Sequence, residues 1–189
     1  MERQVAAAVA DRISRTSLPL LPVEEVERLI GEVRSLEGVE LNEEQCAAVH
    51  AASKHEFLCI TGGAGVGKTT VLKAVYRLYD EAGVRVVQVA LAGRAAKRMH
   101  EATGRAASTI ASFLKSYKDG HLDGPTVLVV DEASMVDIIS MSRVCGILPS
   151  HVRLVLVGDP HQLMPVGPGL VLHALTGVAG VPVLSLIHI

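Results

Sequence analysis

A chain of 189 residues with 49% apolar content is long enough for one well-packed domain with a small N-terminal appendage, but short for two full domains. The formal net charge of −2, without runs of like charge, neither indicates nor excludes nucleic-acid binding, which would require a local basic patch. The apolar run Val5–Ala10 is too short for a signal peptide or a membrane span. Three scattered cysteines in apolar surroundings favour reduced thiols, so we expect a cytoplasmic protein without membrane contact: Cys46, Cys59 and Cys145.

The first forty residues predict two helices. A four-residue spacing of apolar side chains among charges is typical of an amphipathic helix over residues 2–16. After a break at Ser17–Pro22, acids near the start of the next segment and one apolar face predict a second helix. That face comprises Val26, Leu29, Ile30, Val33 and Leu36. We interpret residues 1–40 as a helical lead-in to a main domain over residues 41–183.

Asn42 and Gln45 indicate the start of a third helix, which we expect to run through His50 and Ala52. Asn42 is a favourable N-cap residue, and Gln45 lies three residues later, where a capping-box side chain bonds back to the cap. Alternatively, the paired donor and acceptor of Gln45 read an adenine edge. The residues alone leave both interpretations open.

Residues 57–70, FLCITGGAGVGKTT, predict a strand, a phosphate-binding loop and the first turn of a helix. They fill the pattern G-x-x-x-x-G-K-[ST], in which loop N–H groups wrap the β-phosphate, the lysine reaches the β/γ oxygens and the threonine ligates Mg²⁺. The flanking strand and amphipathic stretch favour this interpretation over a chance glycine-rich turn. The residues expected to contact a nucleoside triphosphate are Gly62, Gly63, Ala64, Gly65, Val66, Gly67, Lys68, Thr69 and Thr70.

Val84–Ala90 is rich in β-branched residues and predicts a second strand, and the order strand, helix, strand implies a parallel sheet. The following helix is predicted over Gly93–His100. Its Arg94, Lys97 and Arg98 lie three or four residues apart, which predicts one basic face. Such a face either grips nucleic-acid phosphates or is simply solvated, and the residues alone leave both open.

Two acids, Asp131 and Glu132, follow the apolar strand predicted over Thr126–Val130. They come at its carboxyl end, the edge where open α/β sheets bind ligands. This is the Walker B arrangement, in which we expect Asp131 to hold Mg²⁺ and Glu132 to polarise the attacking water. Acids at strand ends are also common helix caps, but the phosphate loop favours the catalytic interpretation.

Gln162 follows the next predicted strand, Arg153–Val157, and is therefore carried to the same edge. A neutral amide there senses a γ-phosphate without competing for the metal. Composition alone favours an ordinary polar turn over Gly158–Gln162, because Gly, Asp and Pro are turn residues. The other predicted elements are a helix capped by Ser108, a helix over residues 134–147, a short helix over residues 170–175 and a strand over residues 181–184.

Five stretches, in this order and spacing, resemble the first motor domain of RecD-like helicases of superfamily 1, which include the exodeoxyribonuclease V alpha subunit. They are LNEEQ, TGGAGVGKTT, GRAAKRMHEATGRAASTI, VVDEASMVD and GDPHQLMPVGPG. The resemblance runs from Leu41 to Val183 and implies an α/β, RecA-like P-loop NTPase domain with a mostly parallel sheet flanked by helices. It also implies a bacterial cytoplasmic motor that uses ATP and Mg²⁺ to move 5′ to 3′ on single-stranded DNA.

Carried over by position, the resemblance makes Gln45 the adenine-reading residue. It makes Lys68, Glu132 and Gln162 the catalytic residues, with Gln162 sensing the γ-phosphate. The metal ligands it implies are Thr69 and Asp131. The DNA track it implies is lined by Gly93, Arg94, Lys97, Arg98, Ser108 and Thr109.

This sequence departs from the resemblance in three respects. Relatives often carry Pro-Thr and a histidine where this chain has Leu91-Ala92 and Ala111, a variant that relaxase-linked helicases share in part. We expect the second motor domain, with its catalytic arginines, to lie outside this sequence, and other recombination or repair subunits to be partners. We also expect residues 184–189 to be a non-native tail, because Leu184–Ile189 resembles a translated sequencing adapter.

Two other functions fit the same residues. The first is the helicase domain of a conjugative relaxase, which a cluster of nicking tyrosines elsewhere in the gene would identify. The second is a nucleotide-binding module without turnover, because a first motor domain alone lacks the arginine that completes hydrolysis.

Overall fold

The computed structural model describes residues 1–15, 18–117, 122–162 and 164–186, with their side chains except those of Arg34, Leu36 and Glu37. Six strands in this part of the chain form one sheet in the order β3-β2-β4-β5-β1-β6, and every neighbouring pair is parallel. The strands are β1 Phe57–Gly62, β2 Arg85–Ala90, β3 Ala107–Thr109, β4 Thr126–Asp131, β5 Arg153–Gly158 and β6 Val183–Leu186. The expected parallel α/β sheet is confirmed.

The central strands are apolar along their whole length because both faces of the sheet are covered. Every residue of β1 and of β5 is buried. Successive side chains alternate between two cores. In β1, Leu58 and Ile60 face one core, whereas Phe57 and Cys59 face the other.

Helices cover both faces of the sheet. They are α1 Glu2–Ser14, α2 Val23–Glu37, α3 Glu43–Lys54, α4 Lys68–Glu81, α5 Gly93–Thr103, α6 Ile110–Ser116, α7 Ile138–Ile147 and α8 Val171–Thr176. Buried side chains of α2, α3, α4 and α5 form one core, and those of α1, α6, α7 and α8 form the other. No helix in the described ranges is both long and apolar enough to cross a membrane.

Two local expectations were wrong, and one strand was not predicted. Thr109, not Ser108, caps α6, since its hydroxyl accepts the N–H of Ser112 at 3.0 Å. Ser108 instead belongs to β3. The sequence did not reveal this strand, because it has only three residues and their side chains are only partly buried. The helix expected over residues 134–147 is divided: a 3₁₀ turn, Ala133–Met135, is followed by α7, whose cap is Asp137.

The last strand extends beyond its expected end. β6 continues through Leu184 and Ser185 to Leu186, which pairs with Gly62 of β1 and is buried. The sheet thus includes the first three residues of the segment interpreted as a tail, while residues 187–189 lie outside the described ranges. Leu36 of the predicted α2 face also lies outside the described side chains.

The three cysteines are free thiols. Cys59 and Cys145 are buried, whereas Cys46 is partly exposed. Burial raises the pKa of Cys59 to about 12 and that of Cys145 to about 11. Both therefore remain protonated at neutral pH, and protonated thiols are poor nucleophiles.

Arg12 anchors the N-terminal helix to the sheet. Its side chain is 2% exposed, and burial lowers its pKa from the ordinary value. Nε donates to the carbonyl of Val152 at 2.7 Å, and the two terminal nitrogens donate to the carbonyls of Ala8 and Pro149 at 2.8 Å each. One guanidinium therefore joins α1 to the chain segment that leads into β5.

We expect Arg12→Met to lower the free energy of unfolding by about 2–4 kcal/mol, because it leaves buried carbonyls without a donor. Urea unfolding followed by circular dichroism measures the change. Arg3→Met, at an exposed arginine of the same helix, is the control and should change stability by less than about 0.5 kcal/mol. Equal stability of the two variants would show that the anchor is unimportant.

Candidate active site

The carboxyl ends of β1, β5 and β4 meet at one edge of the sheet. Thr61 of β1 is in register with Gly158 of β5, and Leu156 of β5 is in register with Val130 of β4. The segments that follow these strands therefore converge. Between them lies a cavity of about 610 Å³ lined by Lys68, Thr69, Leu72, Ala95, Arg98, Met99, Glu101, Ala102, Thr103, Asp131, Glu132, Ser134, Gly158, Asp159 and Gln162.

The segment between β1 and α4 curls around the ammonium group of Lys68. Lys68 Nζ donates to the carbonyls of Gly62 at 2.6 Å and Gly63 at 2.5 Å. Gly65 and Gly67 have φ values of +81° and +84°, a region that L-residues with a side chain rarely adopt. Gly67 is also the N-cap of α4, so the positive end of that helix faces the loop.

Gln45 links the start of α3 to this loop. Its Oε1 accepts the N–H of Asn42 at 3.0 Å, and its own N–H donates to Asn42 Oδ1 at 2.9 Å, which completes a capping box. The other end of the amide, Nε2, donates to the carbonyl of Val66 at 3.0 Å. The capping-box interpretation is therefore confirmed, and reading an adenine edge would require Gln45 to exchange both bonds.

Asp131 lies at the end of β4, inside the cavity. Burial raises the pKa of this carboxyl above its ordinary value, while the N–H of Glu132, at 2.8 Å from Oδ1, and the charge of Lys68 act in the opposite direction. A partly buried carboxylate of this kind is well placed to receive a cation that compensates for its lost hydration.

Glu132 is the only non-glycine residue with a positive φ, +51°, in the described part of the chain. It is the N-cap of the 3₁₀ turn, and Gly158 of β5 lies against that turn. A Cβ at Gly158 would be 2.9 Å from the N atom of Ser134, so no other residue would fit there without displacement. The close approach of β5 and the turn holds Glu132 in a conformation that costs about 1–3 kcal/mol in isolation.

Gln162 lies in a hydrogen-bonded turn that also borders the cavity. The N–H of Gln162 donates to the carbonyl of Asp159 at 3.1 Å, and the N–H of His161 donates to Asp159 Oδ1 at 2.9 Å. The predicted turn is thus present, and it carries the exposed Gln162 side chain to the same sheet edge.

The basic residues of α5 have separate surroundings. Arg94, Lys97 and Arg98 are all exposed. Lys97 Nζ lies 3.7 Å from Glu101 Oε1, and a terminal nitrogen of Arg98 lies 3.7 Å from an oxygen of Glu132. Arg98 also borders the cavity, whereas Arg94 and Lys97 are not among the residues that line it.

The remaining predicted DNA contacts lie at the same edge of the sheet. Gly93 begins α5, just after β2, and β3 is the next strand outward. Val89 of β2 is in register with Ser108, and Ala90 is in register with Thr109. Gly93, Ser108 and Thr109 therefore lie at the carboxyl ends of two neighbouring strands.

The donor set fits an ATP·Mg²⁺ complex better than a metal held by protein alone. The described residues contain no group of three or more His, Cys, Asp or Glu side chains that would hold an ion. Thr69 supplies a hydroxyl and Asp131 a carboxylate, and both line the cavity beside Lys68. Such oxygen ligands suit Mg²⁺, which usually completes its shell with water and phosphate oxygens.

Comparison with known proteins identifies a matching family and two similar proteins. The profile of a family described as "AAA domain" matches residues 40–189. The ATP-dependent RecD2 DNA helicase of Deinococcus radiodurans is 39% identical over 145 residues, which cover 74% of this chain and 20% of that protein. The probable conjugal transfer protein TraA of Sinorhizobium fredii is 38% identical over 152 residues, which cover 78% of this chain and 14% of that protein. The chain spans a fifth or less of either relative.

A solved structure shares the fold. The crystal structure of Pif1 helicase from Candida albicans matches with a TM-score of 0.54 and 22% identity, covering 80% of this chain and 40% of that one. This likeness confirms the RecA-like arrangement of strands and helices.

Asp159 and Ser134 are two buried polar residues of the cavity that sequence reasoning did not single out. Asp159 is 7% exposed, and its Oδ2 lies 3.9 Å from the place a Cβ would occupy at Gly63. Ser134 is 3% exposed and follows Glu132 in the 3₁₀ turn. Their positions after the ends of β5 and β4 could have identified them as site residues, but Asp159 was interpreted only as a turn residue.

The contact between Gln45 and the loop leads to a prediction about two glycines. A Cβ at Gly67 would be 2.4 Å from Gln45 Nε2, whereas a Cβ at Gly65 would meet nothing within 4 Å. Both positions have positive φ, so Gly65→Ala should show backbone strain alone, about 1–2 kcal/mol in urea unfolding. Gly67→Ala should lose about 1 kcal/mol more, because Gln45 must release Val66.

The background variant Gln45→Ala provides the control. In that background the clash is absent, and the two alanine substitutions should destabilise the chain equally. A difference that persists without the Gln45 side chain would contradict the proposed link between α3 and the phosphate loop.

Proposed function

Since this chain belongs to the AAA-domain family, we propose that it is the first, ATP-binding motor domain of a RecD-like DNA helicase. The observation that carries the proposal is the meeting of the phosphate loop, Asp131 and Glu132 around one cavity. Relatives whose names describe an ATP-dependent DNA helicase and a conjugal transfer protein support the same class of activity.

ATP is proposed to bind with its phosphates on the loop between β1 and α4. Loop N–H groups and the start of α4 surround the phosphates, and Lys68 moves from the carbonyls of Gly62 and Gly63 to the β/γ oxygens. Gln45 is proposed to recognise the adenine edge. That role requires it to give up its bonds to Asn42 and Val66 when nucleotide enters.

Hydrolysis is proposed to use the two acids in different roles. Thr69 and Asp131 would hold Mg²⁺, which supplies positive charge to the phosphates. Glu132 would orient the attacking water and accept its proton, because its side chain projects from a fixed turn into the cavity. Gln162 would contact the γ-phosphate and report its presence to the segment after β5.

Single-stranded DNA is the proposed second ligand, with 5′ to 3′ movement and duplex unwinding as the activity of the longer protein. Arg94, Lys97 and Arg98 would contact backbone phosphates, together with Gly93, Ser108 and Thr109. A second motor domain in the same protein is proposed to close on the cavity and supply the arginine charge for hydrolysis. Recombination or repair subunits are further proposed partners.

The helicase domain of a conjugative relaxase is a second candidate. The observation that favours it is the 38% identity to a conjugal transfer protein, which is close to the 39% identity to the RecD2 helicase. Leu91-Ala92, ahead of α5, is the variant that relaxase-linked helicases share in part. Both candidates use the same ATP site, so the prediction below applies to either.

The proposed roles of the acids predict different effects of neutralising them. Asp131→Asn should remove most of the gain in ATP affinity that Mg²⁺ provides, about ten- to hundredfold, because a charged ligand is lost. Glu132→Gln should leave that gain intact, since the amide keeps the shape and loses only the base. Isothermal titration with ATP, with and without Mg²⁺, measures both effects.

Asp123→Asn, at an exposed acid outside the cavity, is the charge control and should behave like the unmodified chain. Loss of the Mg²⁺-dependent gain in Glu132→Gln but not in Asp131→Asn would reverse the assigned roles. ATP turnover with and without single-stranded DNA, measured on the chain extended by a second motor domain, separates a motor from a nucleotide-binding module. A module would show binding without DNA-stimulated turnover.

A further inference from the structure

Arg98 connects the helix that carries the proposed DNA contacts to the proposed catalytic base. It lies on α5, the helix that begins at Gly93, and its Nη2 is 3.7 Å from Oε1 of Glu132. These residues come from segments that follow β2 and β4, which are neighbours in the sheet. The pair therefore bridges the two segments across the mouth of the cavity.

The ion pair is weak enough to be exchanged. The side chain of Arg98 is 66% exposed and that of Glu132 is 30% exposed, and the separation is longer than a direct hydrogen bond. Exposed pairs of this kind change affinities or stabilities by only about two- to fivefold. A backbone phosphate carries a full charge and releases counterions when it binds, so it competes effectively for the same guanidinium.

The backbone of Glu132 cannot move easily, which leaves its side chain as the adjustable part. Its positive φ is fixed by the 3₁₀ turn and by the N–H bond to Asp131. Two other acids near Arg98 are Asp131, whose pKa the arginine tends to lower, and Glu101, which is paired with Lys97. Within the described residues Glu132 is thus the acid that forms an ion pair with Arg98.

We propose that Arg98 is a DNA-responsive positioning residue, which holds the carboxylate of Glu132 when DNA is absent and releases it when a single-stranded DNA phosphate takes the guanidinium. The inference rests on the proposed function, because it assigns regulation to that site. DNA and Glu132 then compete for one side chain. Release of Glu132 allows it to orient water only when the track is occupied.

Competition between DNA and Glu132 for Arg98 predicts that substitutions of Glu132 and Arg98 have coupled effects on DNA affinity. These effects can be measured without ATP hydrolysis. The 189-residue chain is titrated, free of nucleotide, into fluorescein-labelled oligo(dT) at low salt, and anisotropy gives Kd. Glu132→Gln should bind DNA about two- to fivefold more tightly, because Arg98 no longer has a competing carboxylate. Arg98→Gln should bind more weakly, since a phosphate contact is lost.

The double variant Arg98→Gln with Glu132→Gln distinguishes the proposal from a general effect of charge. Its Kd should equal that of Arg98→Gln alone, because without the arginine Glu132 has no guanidinium for which to compete with DNA. Arg98→Lys should restore part of the coupling, since it keeps the charge. Asp123→Asn, which removes an exposed acid outside the cavity, should leave Kd unchanged.

An equal gain from Glu132→Gln in the presence and absence of Arg98 would overturn the inference and leave the proposed function intact. Failure of the unmodified chain to bind oligo(dT), with ATP binding preserved, would overturn both the DNA part of the proposed function and this inference. Circular dichroism of each variant confirms that the fold is retained, and Arg98 and Glu132 are exposed enough for these changes to be tolerated.

Discussion

The register between β1, β5 and β4 is the constraint on which the rest of the site depends. Because these strands are parallel and buried on both faces, their carboxyl ends are fixed at one edge with little freedom to slip. The phosphate loop, the two acids and the turn that carries Gln162 are short extensions of these strands. A shift of one residue in any strand would turn its side chains to the opposite core and misplace the attached segment.

Hydrogen bonds and packing within the protein hold the segments at this edge in place before any ligand binds. Lys68 bonds to carbonyls of its own loop, and Gln45 joins the loop to the cap of α3. Glu132 is held at a positive φ by a turn packed on Gly158. Nucleotide binding would exchange these internal bonds for bonds to phosphate, so the loop is ordered in advance and the cost of ordering it on binding is reduced.

The parts of the site that are local in sequence could be predicted from it. The phosphate loop and the acids after β4 were recognisable because each function needs particular residue types at fixed spacing. The capping box of Asn42 and Gln45 was likewise one of two explicit alternatives. β3 escaped notice because its three residues pair only at the edge of the sheet. Thr109, the last residue of that strand, caps α6 because it immediately precedes the first helical residue, Ile110.

Contacts between distant segments could not be predicted in this way. The anchor formed by Arg12 depends on carbonyls near β5, and a charged residue on an amphipathic helix is expected to be solvated. The pairing of Arg98 with Glu132 similarly requires the neighbouring positions of β2 and β4. A helical wheel shows which residues share a face, but not which groups of another segment meet that face.

The central claim is that the loop after β1 binds the phosphates of ATP, and Lys68 tests it most directly. Isothermal titration of ATP·Mg²⁺ into the 189-residue chain should show saturable binding. Lys68→Ala should weaken it about ten- to hundredfold, because a charged bond to the β/γ oxygens is lost. Lys54→Ala, at an exposed lysine that ends α3, should leave affinity unchanged. Equal ATP affinity of Lys68→Ala and the unmodified chain would contradict the account.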